Sequence, residues 1–446
     1  MRILPTRSLV ATSVAAVLIA GLAGCGSDSK ANAAQDTSSS STGAGAPADG
    51  ASSSAPSDPA SSSGAALTPV STGNPFADIR TAAMHMPDTA DALAGGIAKA
   101  AKYPATVDSD ASALRSGLTY LLTEHVYLAG IAVATAYHAG ADSDAFKTAA
   151  KSVDDNSVAI GDAVSKIVGD DQGKVFLEAW RSHVTDFVNY AVGAKTGGAK
   201  GAKIKAQAVD ALKGYAKASG QFFSKNTNGV LPASAVEKDT LEHINTLAAA
   251  VDDFAAGKTT AYAKLKTAAD HMAMTADVLA GGIAKATKMK GSADDKSAGL
   301  RAGLTGLLTS HVYLAGISVF TAYTDKDSVK GAQFKAAADA LDKNSVELSD
   351  AVKSVSDAAK ANTFLQVWRT HIQNFVDYAV ADATGNAADK TKALADLDGY
   401  RTSAGQFFST VTGGALPAAA VADALKAHIE SLAGAIDSLK AALVTG

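Results

Sequence analysis

The stretch Leu121–Ala132, reading LLTEHVYLAGIA, returns at Leu307–Ser318 as LLTSHVYLAGIS, 186 residues later. Other blocks recur at almost the same interval, so the chain is one unit written twice, and a unit repeated on this scale stands for a pair of like structural modules. Copy one covers about 75–257 and copy two 258–446. Each exceeds about 170 residues, which is enough for a core of its own. A duplicated chain also carries an internal comparison, since the residues that both copies keep can be read directly.

Apolar residues recur at three and four, alanine is abundant, and no strand-period alternation stands out. Six helices per copy are predicted, in copy one near 77–101, 110–138, 143–167, 172–193, 204–225 and 233–255. The breaks carry turn chemistry: Tyr103-Pro104, Gly140, Gly169-Asp170, Gly197-Gly198 and Asn226 to Pro232. The expected fold class is all-α, two tandem helical bundles.

Ahead of the repeats, Arg2 and Arg7 precede an apolar run from Leu9 to Ala23 that ends Leu22-Ala23-Gly24-Cys25. A basic start, a short apolar core and small residues before a cut describe a secretory signal over 1–24. At about 15 residues the run is short for a span of roughly 20. LAGC resembles the lipobox of bacterial lipoproteins, which implies that Cys25 is acylated and becomes the first residue of the mature chain. Cys25 is the single cysteine, which removes disulfides and thiolate metal sites from consideration. Residues 25–74 are mostly Ser, Ala, Gly, Pro, Thr and Asp and read as a disordered tether of roughly 40 Å average span. The expected location is the outer face of a membrane, held by acyl chains.

Net charge is −4 with no basic stripe, so nucleic acid is not an expected partner. The lysine-rich segment 194–206 is not matched in copy two and reads as a solvated loop and helix start.

Histidine dominates the polar residues kept in both copies. Of nine histidines, eight form matched pairs: His85 with His271, His125 with His311, His183 with His371, and His243 with His428. His138 is matched by Thr324. The eight fall one per helix on four helices, among apolar neighbours at helical spacing, so each is expected to face inward. A buried imidazole needs a hydrogen-bond partner or a metal. Met86 and Met272 are also equivalent, and thioether with imidazole suits copper or an axial haem pair, or simply fills core space. The kept carboxylates Asp91/Asp277 and Asp252/Asp437 can orient imidazoles on a metal. Asp154/Asp342 and Asp162/Asp350 are kept too, and any of these can instead hydrogen-bond a core histidine. Arg115/Arg301 and Arg181/Arg369 can meet haem propionates or pair with a kept aspartate. Kept glycines at Gly95-Gly96/Gly281-Gly282 and Gly130/Gly316 point to close helix approach or to space beside a cofactor. Asn156-Ser157 and Asn344-Ser345 read as a helix start or cap.

No HExxH, GxSxG, phosphate-binding loop or repeated Glu-x-x-His pair occurs. Glu124, beside His125, becomes Ser310, so it is no shared catalytic group, and no catalytic residue is named. The blocks EHVYLAGIA, NSVAIGDAVSKIVG, FLEAWRSHVTDFVNYAV, GQFF, LPASAV and AAMHMPDTADALAGGI resemble a family of secreted bacterial helical repeats, some labelled as copper amine oxidase N-terminal domains. The duplicated bundle is also similar to imelysin-like iron-uptake lipoproteins, although their GxHxxE motif is missing.

The leading expectation is a membrane-anchored binding protein holding a transition metal or haem in each repeat, through His85, His125, His183 and His243 in copy one and His271, His311, His371 and His428 in copy two. Copper and haem stand side by side, and iron and zinc also suit imidazole. The alternatives are a structural or adhesion module with core histidines, and an extracellular enzyme acting through a perturbed carboxylate in a polar pocket.

Overall fold

A computed structural model describes residues 66–104 and 107–444. The expected signal segment, Cys25 and most of the tether lie outside the described residues. The fold is all-α, with no strand among those residues. In chain order the helices are α1 (Pro75–Met84), α2 (Met86–Ala100), α3 (Asp110–Ala139), α4 (Asp144–Val168), α5 (Asp170–Thr196), α6 (Gly198–Asn226) and α7 (Ala233–Ala255). Copy two follows with α8 (Thr260–Thr287), α9 (Lys296–Thr324), a 3₁₀ turn (Ser328–Lys330), α10 (Ala332–Val355), α11 (Ala358–Thr384), α12 (Ala387–Val411) and α13 (Ala418–Leu443).

Local chemistry sets the ends. Ser109 and Ser143 accept from backbone N–H groups of the first turns of α3 and α4, which satisfies donors that a helix start leaves open. Gly140, Gly169 and Gly197 end α3, α4 and α5 with positive φ, a conformation that costs glycine little. The first predicted helix, 77–101, is interrupted at His85. The cause is Pro87, which lacks an N–H and whose ring crowds the carbonyl four residues back. Copy two has Ala273 at that place, and there α8 runs unbroken.

Spatial bundles are offset from the sequence copies by one helical element. α8, which opens copy two, packs along α3 and α7 of copy one. The α1–α2 pair, which opens copy one, packs on α13 and α9 of copy two. One packed unit is therefore α3 to α8, and the other is α9 to α13 completed by α1 and α2. The connection from α7 to α8 is only Ala256–Thr259, and so short a turn lays the two helices side by side. Arg115 on α3 pairs with Asp277 on α8 at 2.8 Å, and Arg301 on α9 pairs with Asp91 on α2 at 3.0 Å. These four residues thus tie each exchanged element to its unit.

The two units meet along α3 and α9. By length and composition these two helices are able to cross a membrane, yet 72% and 89% of their apolar windows are buried inside the fold. Their hydropathy is that of a shared spine. Tyr127 and Tyr313 stack across the seam with centroids 5.5 Å apart. Close approach explains the kept pairs Gly96/Gly282 and Gly130/Gly316, but not Gly95/Gly281: a Cβ on Gly130 would fall 2.5 Å from Leu265 Cδ1, and one on Gly282 would fall 2.2 Å from Leu231 Cδ2.

The tether ends earlier than residue 74. Leu67 is buried, the Val70 N–H donates to the Glu430 carbonyl, and Ser71 donates to Asp78. Residues 67–73 thus lie against α13, where Gly434 leaves room for the Val70 carbonyl.

Close packing also gives a controlled prediction. A Cβ on Gly220 or Gly405 would sit 2.3 Å from the carbonyl oxygen of Ala233 or Ala418, whereas Gly214 faces open space. Gly220→Ala and Gly405→Ala are each expected to cost about 1–3 kcal/mol through forced backbone shifts. Gly214→Ala is expected to stabilise by up to about 1 kcal/mol. Urea unfolding midpoints of the three variants check both signs.

Candidate metal centre

His125 on α3, His183 on α5 and His243 on α7 converge in the core of the first unit. His311 on α9, His371 on α11 and His428 on α13 do so in the second. In each trio the available ring nitrogens lie within 4.8 Å of one another, and all six side chains are buried. An ion bound at about 2.0–2.1 Å from each nitrogen needs them roughly 3.5 Å apart. His371 Nε2 and His311 Nε2, at 3.3 Å, already meet that spacing.

Aromatic side chains frame each trio in the same way. Trp180 sets its edge against His125 and His183, with centroids at 4.8 and 4.5 Å, and Tyr215 stacks on His183 at 4.5 Å. Trp368 does the same to His311 and His371 at 4.6 and 4.5 Å, with Tyr400 stacked on His371 at 4.3 Å. Rings packed on rings fix the imidazole planes without hydrogen bonds.

The nitrogens themselves are the anomaly. In the first unit, both ring nitrogens of His125 and His243 are buried with no hydrogen-bond partner in the protein, and His183 has at best the backbone of Trp180, one turn back, as a partner. In the second, Nδ1 of His311 and His428 is buried without a partner, and His371 has at best the backbone of Trp368. A buried polar atom left unpaired costs about 1–3 kcal/mol, and a core histidine retained for structure would have one donor and one acceptor answered. Burial lowers the pKa of His125 and His428 to about 4. Burial, with the neighbouring imidazoles adding to it, holds His183, His243, His311 and His371 well below the ordinary value. All six are therefore neutral at pH 7, the form that binds a metal.

No family model, curated protein or solved structure matches the chain.

Three of the four histidines expected from each copy come together, and the fourth does not. His271 is half-buried and its Nε2 lies 3.0 Å from the Asp239 carbonyl oxygen. His85 sits at the α1–α2 break, half-buried. Neither belongs to a trio. Because the opening helices are exchanged, His85 lies near His428 of copy two and depresses its pKa, while His271 does the same to His243. The methionines follow the exchange. Met272 lines a cavity of about 50 Å³ with His183 and His243, and Met86 lines one of about 40 Å³ with His311 and His428.

The kept charges serve other partners. Arg181 forks onto Asp154 at 2.7 and 2.9 Å, and Arg369 onto Asp342 at 2.6 and 2.8 Å. Asp252 receives Tyr190 and Lys205, and Asp437 receives Tyr378 and Lys390. Asp91 and Asp277 pair with the arginines described above. None of these carboxylates orients a trio imidazole, and the kept arginines are accounted for by carboxylates. Asn156 and Asn344 stand mid-helix rather than at a cap, each donating from Nδ2 to a carbonyl of the spine, Leu121 or Leu307.

Sequence comparison between the copies passed over Glu124 because copy two replaces it. Fully buried at the seam, Glu124 accepts from Tyr120 and Tyr313 at 2.7 and 2.8 Å on Oε1 and from Asn156 at 2.8 Å on Oε2, with Arg80 Nε 3.3 Å away. It joins α1, α3, α4 and α9. Copy two has Ser310 there, and the buried Lys266, matching Arg80, pairs instead with Asp270 and Glu347 at 2.8 and 2.6 Å. A lone charge within LLTEHVYLAGIA was the available signal.

Proposed function

We propose that this protein is a membrane-tethered metal-binding lipoprotein whose two packed units each hold one transition-metal ion on three imidazoles. The observation that carries this reading is the pair of buried trios with unpartnered ring nitrogens. The donor set suits copper or zinc. Among the described residues no carboxylate or thiolate joins either trio, so a divalent ion would leave two uncompensated charges in an apolar core. Cu(I) leaves one, and the desolvation penalty grows steeply with charge. Cu(I) is therefore the ion favoured, with zinc second. Bis-histidine haem is disfavoured because the cavities that reach two imidazoles of a trio are only about 40–50 Å³, and the larger space beside the first trio is lined by His125 alone of its three histidines. A bound ion would answer one nitrogen on each first-unit imidazole that a purely structural role leaves unpaired. Cys25 as the anchor, and a station on the outer face of the membrane, belong to the same proposal. There the sites would take up, buffer or pass on copper.

The test is competition between the metal-free full chain and a chromophoric Cu(I) chelator. Two equivalents are expected for the native chain, one for His183→Ala or for His371→Ala, and none for the double variant. A native chain that takes no copper or zinc from the chelator, or variants that keep both equivalents, would refute the reading.

A further inference from the structure

Beside the first trio lies a cavity of about 750 Å³ that nothing above employs. One wall is a stripe of α3: His125, Ala129, Ala132, Ala136 and Ala139. At 1.5 Å per residue these span about 20 Å along the helix. The facing wall is Phe146, Val184, Phe187, Val188 and Leu247. The channel is thus long and lined by hydrocarbon. It begins at buried His125 and opens among His138, Lys195, Thr196 and Lys200, all exposed. Lys195 lies over the Tyr137 ring at 5.0 Å, and neither lysine has an acidic partner among the described residues.

The second unit shows that the fold does not require this space. Its matching helix stripe, Ala315, Ser318 and Ala322, adjoins a void of only about 20 Å³. Two differences close it. The loop after α9 is longer, and its 3₁₀ turn brings Val329 into the lining; Ile372 stands where copy one has Val184. The charged mouth is missing as well. Ala383 replaces Lys195, and the Tyr378–Tyr400 segment is shorter than Tyr190–Tyr215 by three residues.

From the length, the apolar walls and the cationic mouth we infer that copy one binds a single long-chain carboxylate, its acyl chain lying along α3 toward His125 and its head group at Lys195 and Lys200. Half the roughly 30 Å hydrocarbon thickness of a bilayer is one acyl chain, and a channel of about 20 Å accepts that length. A volume of this size is within the range of small-molecule sites. The head group gains charge-assisted contacts at an exposed rim, where they set orientation more than affinity. Copy two would bind no such ligand.

The probe is cis-parinaric acid added to the delipidated full chain, with oleate as competitor. One site per chain is expected. Ala136→Phe, which fills existing space, is expected to weaken binding about tenfold or more. Lys195→Ala with Lys200→Ala is expected to weaken oleate several-fold and to leave oleyl alcohol unchanged. His183→Ala removes one copper yet keeps this binding, so the fate of the metal reading is scored apart. The inference is overturned if oleate fails to displace the probe, if Ala136→Phe binds as well as the native chain, or if oleate and oleyl alcohol respond alike to the lysine change. It is also overturned if haem, rather than oleate, gives a bound species with a Soret band that Ala136→Phe abolishes.

Discussion

Glu124→Ala is expected to lower the stability of the chain by about 3–5 kcal/mol, the usual cost of breaking a buried ion pair by deleting one side. The substitution strips the partner from Arg80, from two tyrosine hydroxyls and from Asn156 at once. Burial pulls the Arg80 guanidinium down, but Glu124 together with Tyr120 and Tyr313 outweighs it and the pKa is raised; without the carboxylate, a half-buried charge loses its main partner. The lost contacts join the two units, so the transition is also expected to separate into two steps as the seam weakens before either bundle does. Glu124→Gln keeps the size and some hydrogen bonds and should cost less. Denaturant unfolding followed by far-UV circular dichroism and by tryptophan fluorescence reads both effects, since Trp180 and Trp368 lie one in each unit. A loss under about 1 kcal/mol, with one unchanged transition, would mean the cluster does not couple the units.

The second large effect is acid lability of the metal-free chain. The trio imidazoles have folded-state pKa values below the unfolded value of about 6.5, so the unfolded chain binds more protons below that pH. Stability is present above pH 6.5 and falls as the pH drops toward 4. His125 and His428, each lowered to about 4, take away about 3 kcal/mol apiece across this window. Domains of ordinary stability have about 5–15 kcal/mol in all, so the metal-free chain is expected to unfold between about pH 6 and 4. A bound ion holds the imidazoles neutral and adds stability through linkage. The copper-loaded chain is therefore expected to unfold at lower pH than the metal-free chain, releasing metal in the same step. Acid titrations of the two forms by circular dichroism, with copper release recorded in parallel, check the order. Coincident midpoints would argue that the imidazoles do not carry the ion.

Most helices were legible because Gly140, Gly169 and Gly197 mark their ends, although one helix was expected over 77–101 where Pro87 makes two. The exchange of opening helices was not. A repeat has no marked beginning, and the same periodic sequence allows a unit to be cut before α1 or before α3; the short α7–α8 turn decides it in space. The trios were visible as matched histidines on different helices. His85 and His271 matched equally well, yet exchange placed each beside the other copy's trio and outside its reach. Comparing copies selects what they share. It therefore hid Glu124 and the channel above His125, both of which exist because the copies differ, at Ser310 in one case and at Val329, Ile372 and Ala383 in the other.

The most direct test of the two-trio account is a copper K-edge absorption spectrum of the full chain loaded with two equivalents of Cu(I). The account predicts three imidazole nitrogens at about 2.0 Å, with no sulfur in the first shell, and the same spectrum at half intensity for His183→Ala at one equivalent. A spectrum dominated by sulfur or by oxygen ligands, or one unchanged when His183 and His371 are both replaced by alanine, would contradict it.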